Sequence, residues 1–571
     1  MRVPRGAVTI TEVLRERGRR EPGSLACVIV HADRQDESYP VRSLLGRANA
    51  FARHLRSAAG DDERPLVCVC MYHGVDLLAA FLGAILAGLI PTMIAPPSPR
   101  MEREKYTSSF VQMLRHLRPH AVVTDEATLS GLDALQLKEV VTCELLDARG
   151  VEVRGDDADL CGEWPIAPPR ETLLLQHSSG TTGLQKGVAL SHEAVLNQIG
   201  SYGDALGLRD DDVVVSWLPL YHDMGLIACF LLPLLCGVPF VQMSPFDWVL
   251  RPAMLFQAIQ RYRGTLCFLP NFAYEFLATS VRDEQIRDVS LERVRGFVNC
   301  SEPVSHRSHQ RFLRRFSAIG ARQEQLWACY AMAENVFAVA QSSIGVPAAV
   351  DVVQWAAFTD RHQALPATPD TGGNDVVEFV SNGTVIRGTE VRVVDATGAQ
   401  CPDRTVGEVC IRGTSLFDGY YLRQDLTREA FTSDGWYRTG DLGYLADREL
   451  FVTGRKKDLI IVQGRNFYPS DIEAIVSDTK GIIPGRTVAF GLWDDTLGTE
   501  AIVVLAEVRD LGADDGGRIK LDIRKRVAEG LDCTVRDVHL LPPGWLVKST
   551  AGKMARSENR GKYLRELGRR A

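Results

Sequence analysis

The chain has 571 residues, too many for one hydrophobic core, so two or more domains are expected. Hydrophobic residues make up 45% and charged residues 24%, the balance of an ordinary globular protein, and a net charge of −7 argues against a nucleic-acid or anionic-membrane binder. The 13 cysteines include no Cys-x-x-Cys pair, which indicates neither a zinc site nor a disulfide framework and fits a reducing cytoplasm. No apolar run follows Arg2 and Arg5, so no secretory signal is expected. The apolar stretches 77–90 and 225–241 fall short of the roughly 18 residues of a spanning helix. The second is also interrupted by Pro233, Gly237 and Pro239, so both read as buried core helices.

Residues 10–59 read as helix, strand and helix, the last with Leu44, Leu45, Ala48, Phe51 and Leu55 at helical spacing. A strand over 65–71, a buried helix over 76–89 and strands over 90–94 and 121–124 predict an open α/β sheet. A polar, proline-containing connection over 156–169 leads to a short buried strand at 172–175. Next comes Ser178-Ser179-Gly180-Thr181-Thr182-Gly183-Leu184-Gln185-Lys186-Gly187, then a strand at 188–190 and a helix capped by Ser191. Glycines let a backbone approach a ligand closely, so several N–H groups can converge on phosphate oxygens, with hydroxyls and Lys186 adding donors and charge. It is not a Walker A loop, which needs Ser or Thr directly after Gly-Lys.

Farther on, a polar cluster follows each of four strands. Residues 213–218 run into Pro219-Leu220-Tyr221-His222-Asp223-Met224-Gly225, and 265–269 into Pro270-Asn271-Phe272. Residues 297–299 end at Cys300-Ser301-Glu302-Pro303, and 326–329 at Tyr330-Ala331-Met332-Ala333-Glu334. Open α/β sheets hold ligands beyond the carboxyl ends of their strands, so these clusters are expected to form one site. From residue 381 short strands (389–394, 407–412) and turns predict a small β unit. The charged break Gly454-Arg455-Lys456-Lys457-Asp458 divides an N-terminal domain, 1–454, from a C-terminal domain, 455–571.

Five motifs in order resemble the adenylate-forming enzymes, the group of acyl-CoA synthetases, luciferases and peptide-synthetase adenylation domains. They are the glycine-rich loop, the Tyr330–Glu334 segment, Gly435-Trp436-Tyr437-Arg438-Thr439-Gly440-Asp441, the Gly454–Asp458 break and Lys548-Ser549-Thr550-Ala551-Gly552-Lys553-Met554. Two segments, Trp217-Leu218-Pro219-Leu220-Tyr221-His222-Asp223-Met224-Gly225-Leu226 and Gly464-Arg465-Asn466-Phe467-Tyr468-Pro469, are similar to the fatty acyl-AMP ligases in particular. The resemblance implies an α/β fold: two α/β subdomains and a small β-barrel-like subdomain, hinged to a small α+β C-terminal domain. It implies ATP and Mg²⁺ as cofactors and conversion of a fatty or other carboxylic acid to an acyl-adenylate. The acyl group then passes to the phosphopantetheine thiol of an acyl carrier protein; an acyl-CoA synthetase, or a ligase for a non-fatty acid, is the alternative.

By the same resemblance the loop from Ser178 to Lys186 holds the β and γ phosphates, with Thr182 among the catalytic residues, and Glu334 helps bind Mg²⁺. Tyr330 stacks on adenine beside the Ser301-Glu302-Pro303 backbone, Asp441 takes the ribose hydroxyls and Arg455 lies near ribose and phosphate. Lys553 bridges carboxylate and α-phosphate, and Asp458 is the hinge. His222 is either a core histidine or a gate at the acyl pocket. Candidates for that pocket are His222, Met224, Leu226, Phe230, Phe272, Tyr274 and the surroundings of Met332. The long stretch 341–379, and 350–364 within it, resembles the insertion associated with poor use of free CoA. Two departures stand out: Ala331 where the family usually has Gly, and Gln185 where Pro is common.

Overall fold

The computed structural model describes residues 8–59, 66–97, 103–130, 144–154, 164–177, 186–372, 375–462, 465–494, 498–509, 515–531, 533–549 and 552–567. Among the described residues, two large sheets dominate. One runs, edge to edge, Gly419–Tyr420, Gly187–Ser191, Thr172–His177, Ile90–Met93, Leu66–Cys70, Ala121–Thr124 and Glu144–Asp147. The other has at its centre Leu326–Ala331, Gly296–Asn299, Leu266–Leu269, Val214–Ser216 and Phe240–Met243, all parallel to one another. One continuous apolar core joins the two sheets. The helix Val75–Leu86 contributes Leu78, Phe81 and Leu82 to it, and the segment after residue 224 contributes Ile227, Phe230 and Leu231. The expected open α/β architecture is present.

Parallel pairing has a direct consequence for function. The strands ending at Ser216, Leu269, Asn299 and Ala331 point the same way, so the polar clusters that follow them meet at one edge. The Thr172–His177 and Gly187–Ser191 strands are an antiparallel pair in the neighbouring sheet, and Ser191 caps the next helix by accepting from the Ala194 N–H. Residues 178–185 between them, including Ser178, Ser179, Gly180, Thr181, Thr182 and Gly183, lie outside the described residues.

Beyond residue 381 come a four-stranded antiparallel sheet (Thr389–Val394, Gly407–Gly413, Tyr437–Ala446, Glu449–Arg455) and then a three-stranded sheet (Ile482–Asp494, Thr499–Val508, Val535–Leu541). The three-stranded sheet packs its own core, around Ile502, Val504, Ile523 and Val527. The chain thus has separate apolar cores, as its length requires.

One helix differs from the sequence reading. Pro233 does not interrupt the apolar segment: a π-helix over Met224–Leu231 continues directly into an α-helix over Leu232–Cys236. A proline is tolerated there because its missing N–H falls where the hydrogen-bond ladder changes from five-residue to four-residue spacing. Gly237, at φ 83°, then ends the helix in the left-handed conformation. The start of the π-helix is equally constrained. A Cβ on Gly225 would lie 2.2 Å from the Pro219 carbonyl oxygen, so only glycine lets the turn over 219–223 fold back on the helix. Gly225→Ala is expected to cost about 1–3 kcal/mol and lower the melting temperature by roughly 2–6 °C, read by scanning calorimetry; an unchanged transition would show that the turn can shift freely.

Candidate active site

The centre of the site is the tight connection between Leu326–Ala331 and its antiparallel neighbour Ala338–Gln341. It carries Glu334. The Asn335 carbonyl accepts from the Phe337 N–H across Val336, whose φ of 60° and ψ of −53° make a γ-turn of the strained kind, rare for a β-branched residue. Two contacts hold that strain in place. Asn335 is fully buried and its Nδ2 donates to the Ala338 carbonyl at 2.7 Å, while the Met332 N–H donates to the Phe337 carbonyl.

Glu334 faces a tyrosine pair. Tyr420 Oη donates to Glu334 Oε1 at 2.9 Å and lies 3.2 Å from Tyr437 Oη, and Lys186 Nζ sits 4.4 Å above the centre of the Tyr420 ring. Burial pushes the Glu334 carboxyl up, and the hydrogen bonds from its own backbone and Tyr420 hold it back. Among the described residues Tyr420 is the side chain that donates to this carboxylate, and it does so at Oε1. A hard carboxylate of this kind suits Mg²⁺, which takes one or two carboxylates and completes its shell with waters and phosphates. No group of three or more potential metal ligands occurs among the described residues, so an all-protein cage is not on offer there.

A second group centres on Asp441. Tyr330 Oη donates to Asp441 Oδ2 at 2.7 Å, and Arg455 Nε lies 3.4 Å from Oδ1. Burial, then the Asp441 charge, raise the Tyr330 phenol well above its ordinary value, so it stays a donor. Both carboxylate oxygens of Asp441 therefore have protein partners, and each keeps a further lone pair.

Lys553 reaches this site from the far end of the chain. Its Nζ donates to the backbone carbonyl of Ser301. Ser301 has φ 74°, in the left-handed region, which turns the chain sharply after its strand. Asn271 Oδ1 fixes that turn by accepting from Asn299 Nδ2 at 3.0 Å and from the Ser305 N–H at 3.1 Å. The Glu302 side chain is committed to structure: its Oε2 accepts from the Phe272 N–H at 2.9 Å, at the N-terminus of the helix Asn271–Ser280, where a carboxylate is favoured. Asp223 is a residue the sequence reading passed over. Its Oδ1 accepts from the Met224 N–H at 2.8 Å; burial pushes its carboxyl up, and the nearby Lys553 charge pulls it back.

The acyl-pocket candidates separate into two groups. Phe230 and Tyr274 are fully enclosed, and Tyr274 Oη is spent on the Phe297 carbonyl at 3.0 Å, so both are core rather than lining; Leu226 is buried with them. His222, Phe272 and Met332 are only partly buried and Met224 touches Ser301 through its sulfur. Phe272 packs edge-on to the stacked pair Trp217–Trp248 and lies beneath Lys548 of the C-terminal segment. The structure thus leaves His222 at the site's margin, its ring against Tyr221.

Asp458 is held at its Oδ2 by Arg556 Nη1 at 2.8 Å, and the same guanidinium binds Glu473 in a bidentate pair at 2.9 and 3.0 Å. Arg556 stands three residues after Lys553, so one cation ties the Lys553 loop to the expected hinge. Neither Arg556 nor Tyr420 was singled out from sequence, since an arginine in a basic tail and a tyrosine after a turn glycine carry no distinguishing signal.

A lysine over a tyrosine ring, a half-buried carboxylate bonded to that tyrosine, a tyrosine–aspartate–arginine group and a lysine from the C-terminal segment are the kinds of group that a nucleotide-using enzyme brings to anionic ligands. The family model described as "AMP-binding enzyme" matches residues 14–421. The chain belongs to this family. It is 30% identical to a 4-hydroxyphenylalkanoate adenylyltransferase of Mycobacterium marinum, covering 97% of this chain and 91% of the relative. It is 30% identical to a long-chain-fatty-acid–AMP ligase of the same species, 96% of each chain being covered. It is 29% identical to a medium-chain-fatty-acid–[acyl-carrier-protein] ligase of Moorena producens, covering 94% and 91%. Among solved structures, a chain from work on fatty acyl-adenylate ligases of E. coli and L. pneumophila superposes with a TM-score of 0.89, at 26% identity over 98% of both chains. A fatty acyl-adenylate ligase of L. pneumophila in complex with acyl adenylate and pyrophosphate superposes at 0.75, with 27% identity over 98% of this chain and 97% of that one.

The charge on Glu334 disfavours the ligand-free fold. Its raised folded pKa means that this cost is absent at low pH, develops as pH rises through the unfolded carboxylate value, and is complete above the folded value. Without metal or nucleotide, Glu334→Gln is expected to melt about 1–2 °C above the parent at neutral pH, the difference closing near pH 4. A difference independent of pH, in fluorimetric melts across that range, would contradict this.

Proposed function

We propose that the enzyme joins a fatty acid to AMP and then delivers the acyl group to the phosphopantetheine thiol of an acyl carrier protein. The observation that carries this reading is the Lys553 ammonium at the Ser301 carbonyl, beside the Asp441 and Glu334 groups. A carboxylate is a poor electrophile. Its oxygen attacks the α-phosphorus of ATP, the α–β bridging bond breaks and pyrophosphate leaves; the thiol sulfur then attacks the acyl carbon, the acyl–oxygen bond breaks, AMP leaves and the thiol proton passes to solvent. In the first step two anions meet, opposed by on the order of 1 kcal/mol at 4 Å in water and several-fold more in a drier site. Preorganised cations offset that repulsion.

In this reading Lys553 bridges the carboxylate and the α-phosphate, and Lys186 with residues 178–183 holds the β and γ phosphates. Glu334 would hold Mg²⁺, which would neutralise charge on the phosphates. Tyr330 lies against adenine, Asp441 with Arg455 receives the ribose, and His222 borders the acyl entrance. The apolar surface of Phe272, Met224 and Met332 suits an alkyl chain, each buried methylene giving about 0.8 kcal/mol. A cytoplasmic site of action fits the cysteines, all eleven of which are free among the described residues, and no helix of the described residues is long and apolar enough to cross a membrane.

The choice of carrier protein over CoA is supported by the segment after the Glu334 loop. It forms a hairpin, Val350–Gln354 with Val376–Val380, enclosing a short helix Trp355–Arg361. Trp355 enters the core of the C-terminal sheet with Ile460, Phe467 and Ile502, while Phe358 packs on Phe379 and Tyr468. Asp360 pairs with Arg465 at 3.3 Å. These contacts tie the segment just after Asp458 to the preceding β unit and would resist the rotation that admits a freely diffusing thiol.

The test follows acyl-AMP, acyl-CoA and acyl-carrier products with ATP, Mg²⁺ and fatty acids of graded length. Aryl-alkanoates belong in the panel because one relative is named for such an acid. Adenylate that persists with CoA and is consumed by the carrier is the expected result, and rapid acyl-CoA formation would make the enzyme a CoA ligase instead. Lys553→Ala is expected to slow adenylation about 10²–10³-fold while leaving transfer from supplied acyl-AMP largely intact; equal loss in both steps would remove the assigned role. Combined Trp355→Ala and Asp360→Ala is expected to raise the acyl-CoA to acyl-carrier product ratio several-fold, as on the order of 2–4 kcal/mol of packing is lost. An unchanged ratio would dissociate the inserted hairpin from acceptor choice.

A further inference from the structure

The strand pair Gly419–Tyr420 lies at the edge of the seven-stranded sheet, antiparallel to Gly187–Ser191, with Gly419 opposite Ala189 and Tyr420 opposite Val188. The Tyr421 N–H donates to the Gly187 carbonyl at 2.7 Å. Four residues earlier, the Phe417 N–H donates to the Glu334 carbonyl at 2.9 Å. Residues 417–421 are therefore a strap with one end on the loop of Glu334 and the other on the strand that leaves Lys186.

Tyr420 stands in the middle of this strap, and both of its chemical faces are in use. Its hydroxyl donates to Glu334 Oε1, which leaves Oε2 without a side-chain donor among the described residues, and its ring carries the Lys186 ammonium at 4.4 Å. The backbone fixes the ring: Thr427 Oγ1 accepts from the Tyr420 N–H at 2.9 Å, and Phe417 packs edge-on against the ring at 4.9 Å. Tyr437 Oη, at 3.2 Å, holds the phenol from its other side.

We infer that Tyr420 is a positioning residue that sets two groups with one side chain: the Glu334 carboxylate for a divalent cation and the Lys186 ammonium for the polyphosphate. The inference rests on the reading of Glu334 as a cation ligand. A carboxylate free to rotate presents either oxygen in many directions, whereas one held at Oε1 presents Oε2 in one; partners of this kind typically change metal affinity 10–100-fold. Holding Lys186 over an aromatic face keeps its charge near the site while leaving the ammonium free to turn toward phosphate.

Substitution separates the two functions. Tyr420→Phe removes the hydroxyl and keeps the ring, and Tyr420→Leu removes both. Binding of Mn²⁺ to the full-length protein with a non-hydrolysable ATP analogue, followed by electron paramagnetic resonance, reads the cation; binding of the analogue without metal reads Lys186. Tyr420→Phe is expected to weaken Mn²⁺ about tenfold, leave metal-free analogue affinity unchanged and keep the parent melting temperature. Tyr420→Leu is expected to weaken both affinities. Parent-like Mn²⁺ binding in Tyr420→Phe while Glu334→Gln loses it would overturn the inference and leave the Glu334 assignment standing. Parent-like Mn²⁺ binding in Glu334→Gln would overturn the assignment and the inference with it. An equal effect of Phe and Leu on the analogue alone would remove the part concerning Lys186.

Discussion

The site depends on placing one carboxylate, Glu334, where water is scarce. Desolvation opposes its charge, and no lysine or arginine forms a direct ion pair with it among the described residues. What holds it is backbone. The γ-turn at Val336 aims the loop, and strain of this type costs of order 1–3 kcal/mol. A buried Asn335 and the antiparallel pairing of Leu326–Ala331 with Ala338–Gln341 overdetermine that turn. The carboxylate is thus held without a direct ion pair among the described residues, which on the proposed function would favour a cation beside it.

The same economy runs through the neighbouring groups. Tyr330 gives its hydroxyl to Asp441, and Tyr420 gives its hydroxyl to Glu334. Each tyrosine fixes one carboxylate oxygen without adding charge, so the acidic groups are oriented yet remain anionic. The cations, Lys186, Arg455 and Lys553, each come from a different part of the chain: the strand after the glycine-rich loop, the end of the four-stranded sheet and the C-terminal segment. Glu334 stands at the end of a large sheet, Asp441 and Arg455 face each other in the four-stranded sheet, and Lys553 belongs to the C-terminal segment, so acidic and basic groups converge from separate elements.

Much of this was legible in the sequence because the chemistry sits in motifs that interrupt regular periodicity. Ser301 and Glu334 follow strands whose apolar patterns end abruptly, and parallel strands bring such ends together; Tyr330, Asp441 and Arg455 lie within strands and were legible through the motifs around them. Other features were not legible. The passage of a helix through Pro233 depends on a π-turn, which no local propensity encodes. Phe230 and Tyr274 could be read from sequence as pocket lining or as plain core, because apolar composition does not distinguish a wall from a core; the distinction is made by what packs behind them. The commitment of Glu302 to the helix at Phe272 and the use of Arg556 by both Asp458 and Glu473 arise from contacts across 30 and 83 or more residues. Such pairings are properties of the folded chain.

The approach of the C-terminal segment is built from interactions of unequal permanence. Among the described residues the seam includes Lys553 to the Ser301 carbonyl, the ion pair Arg307–Asp478, and Lys548 over Phe272. An ion pair with an exposed member, such as Arg307–Asp478, contributes about 0–1 kcal/mol. Within the C-terminal segment the Lys553 loop is rigid, since Asn559, fully buried, bonds the backbone of Val547 and Ala555, and Arg556 clamps Asp458 and Glu473. Lys553 therefore moves only if the whole segment moves, and Arg556 connects that motion to the residue at which the chain would pivot. The apolar anchor of Trp355 acts against such motion, at about 25 cal/mol for each Å² kept from water. On the proposed function, a rigid lysine loop and one added apolar anchor would place the balance between closed and open forms in the inserted hairpin rather than in the residues that activate the acid. Acceptor preference could then change between related enzymes without altering how the acid is activated.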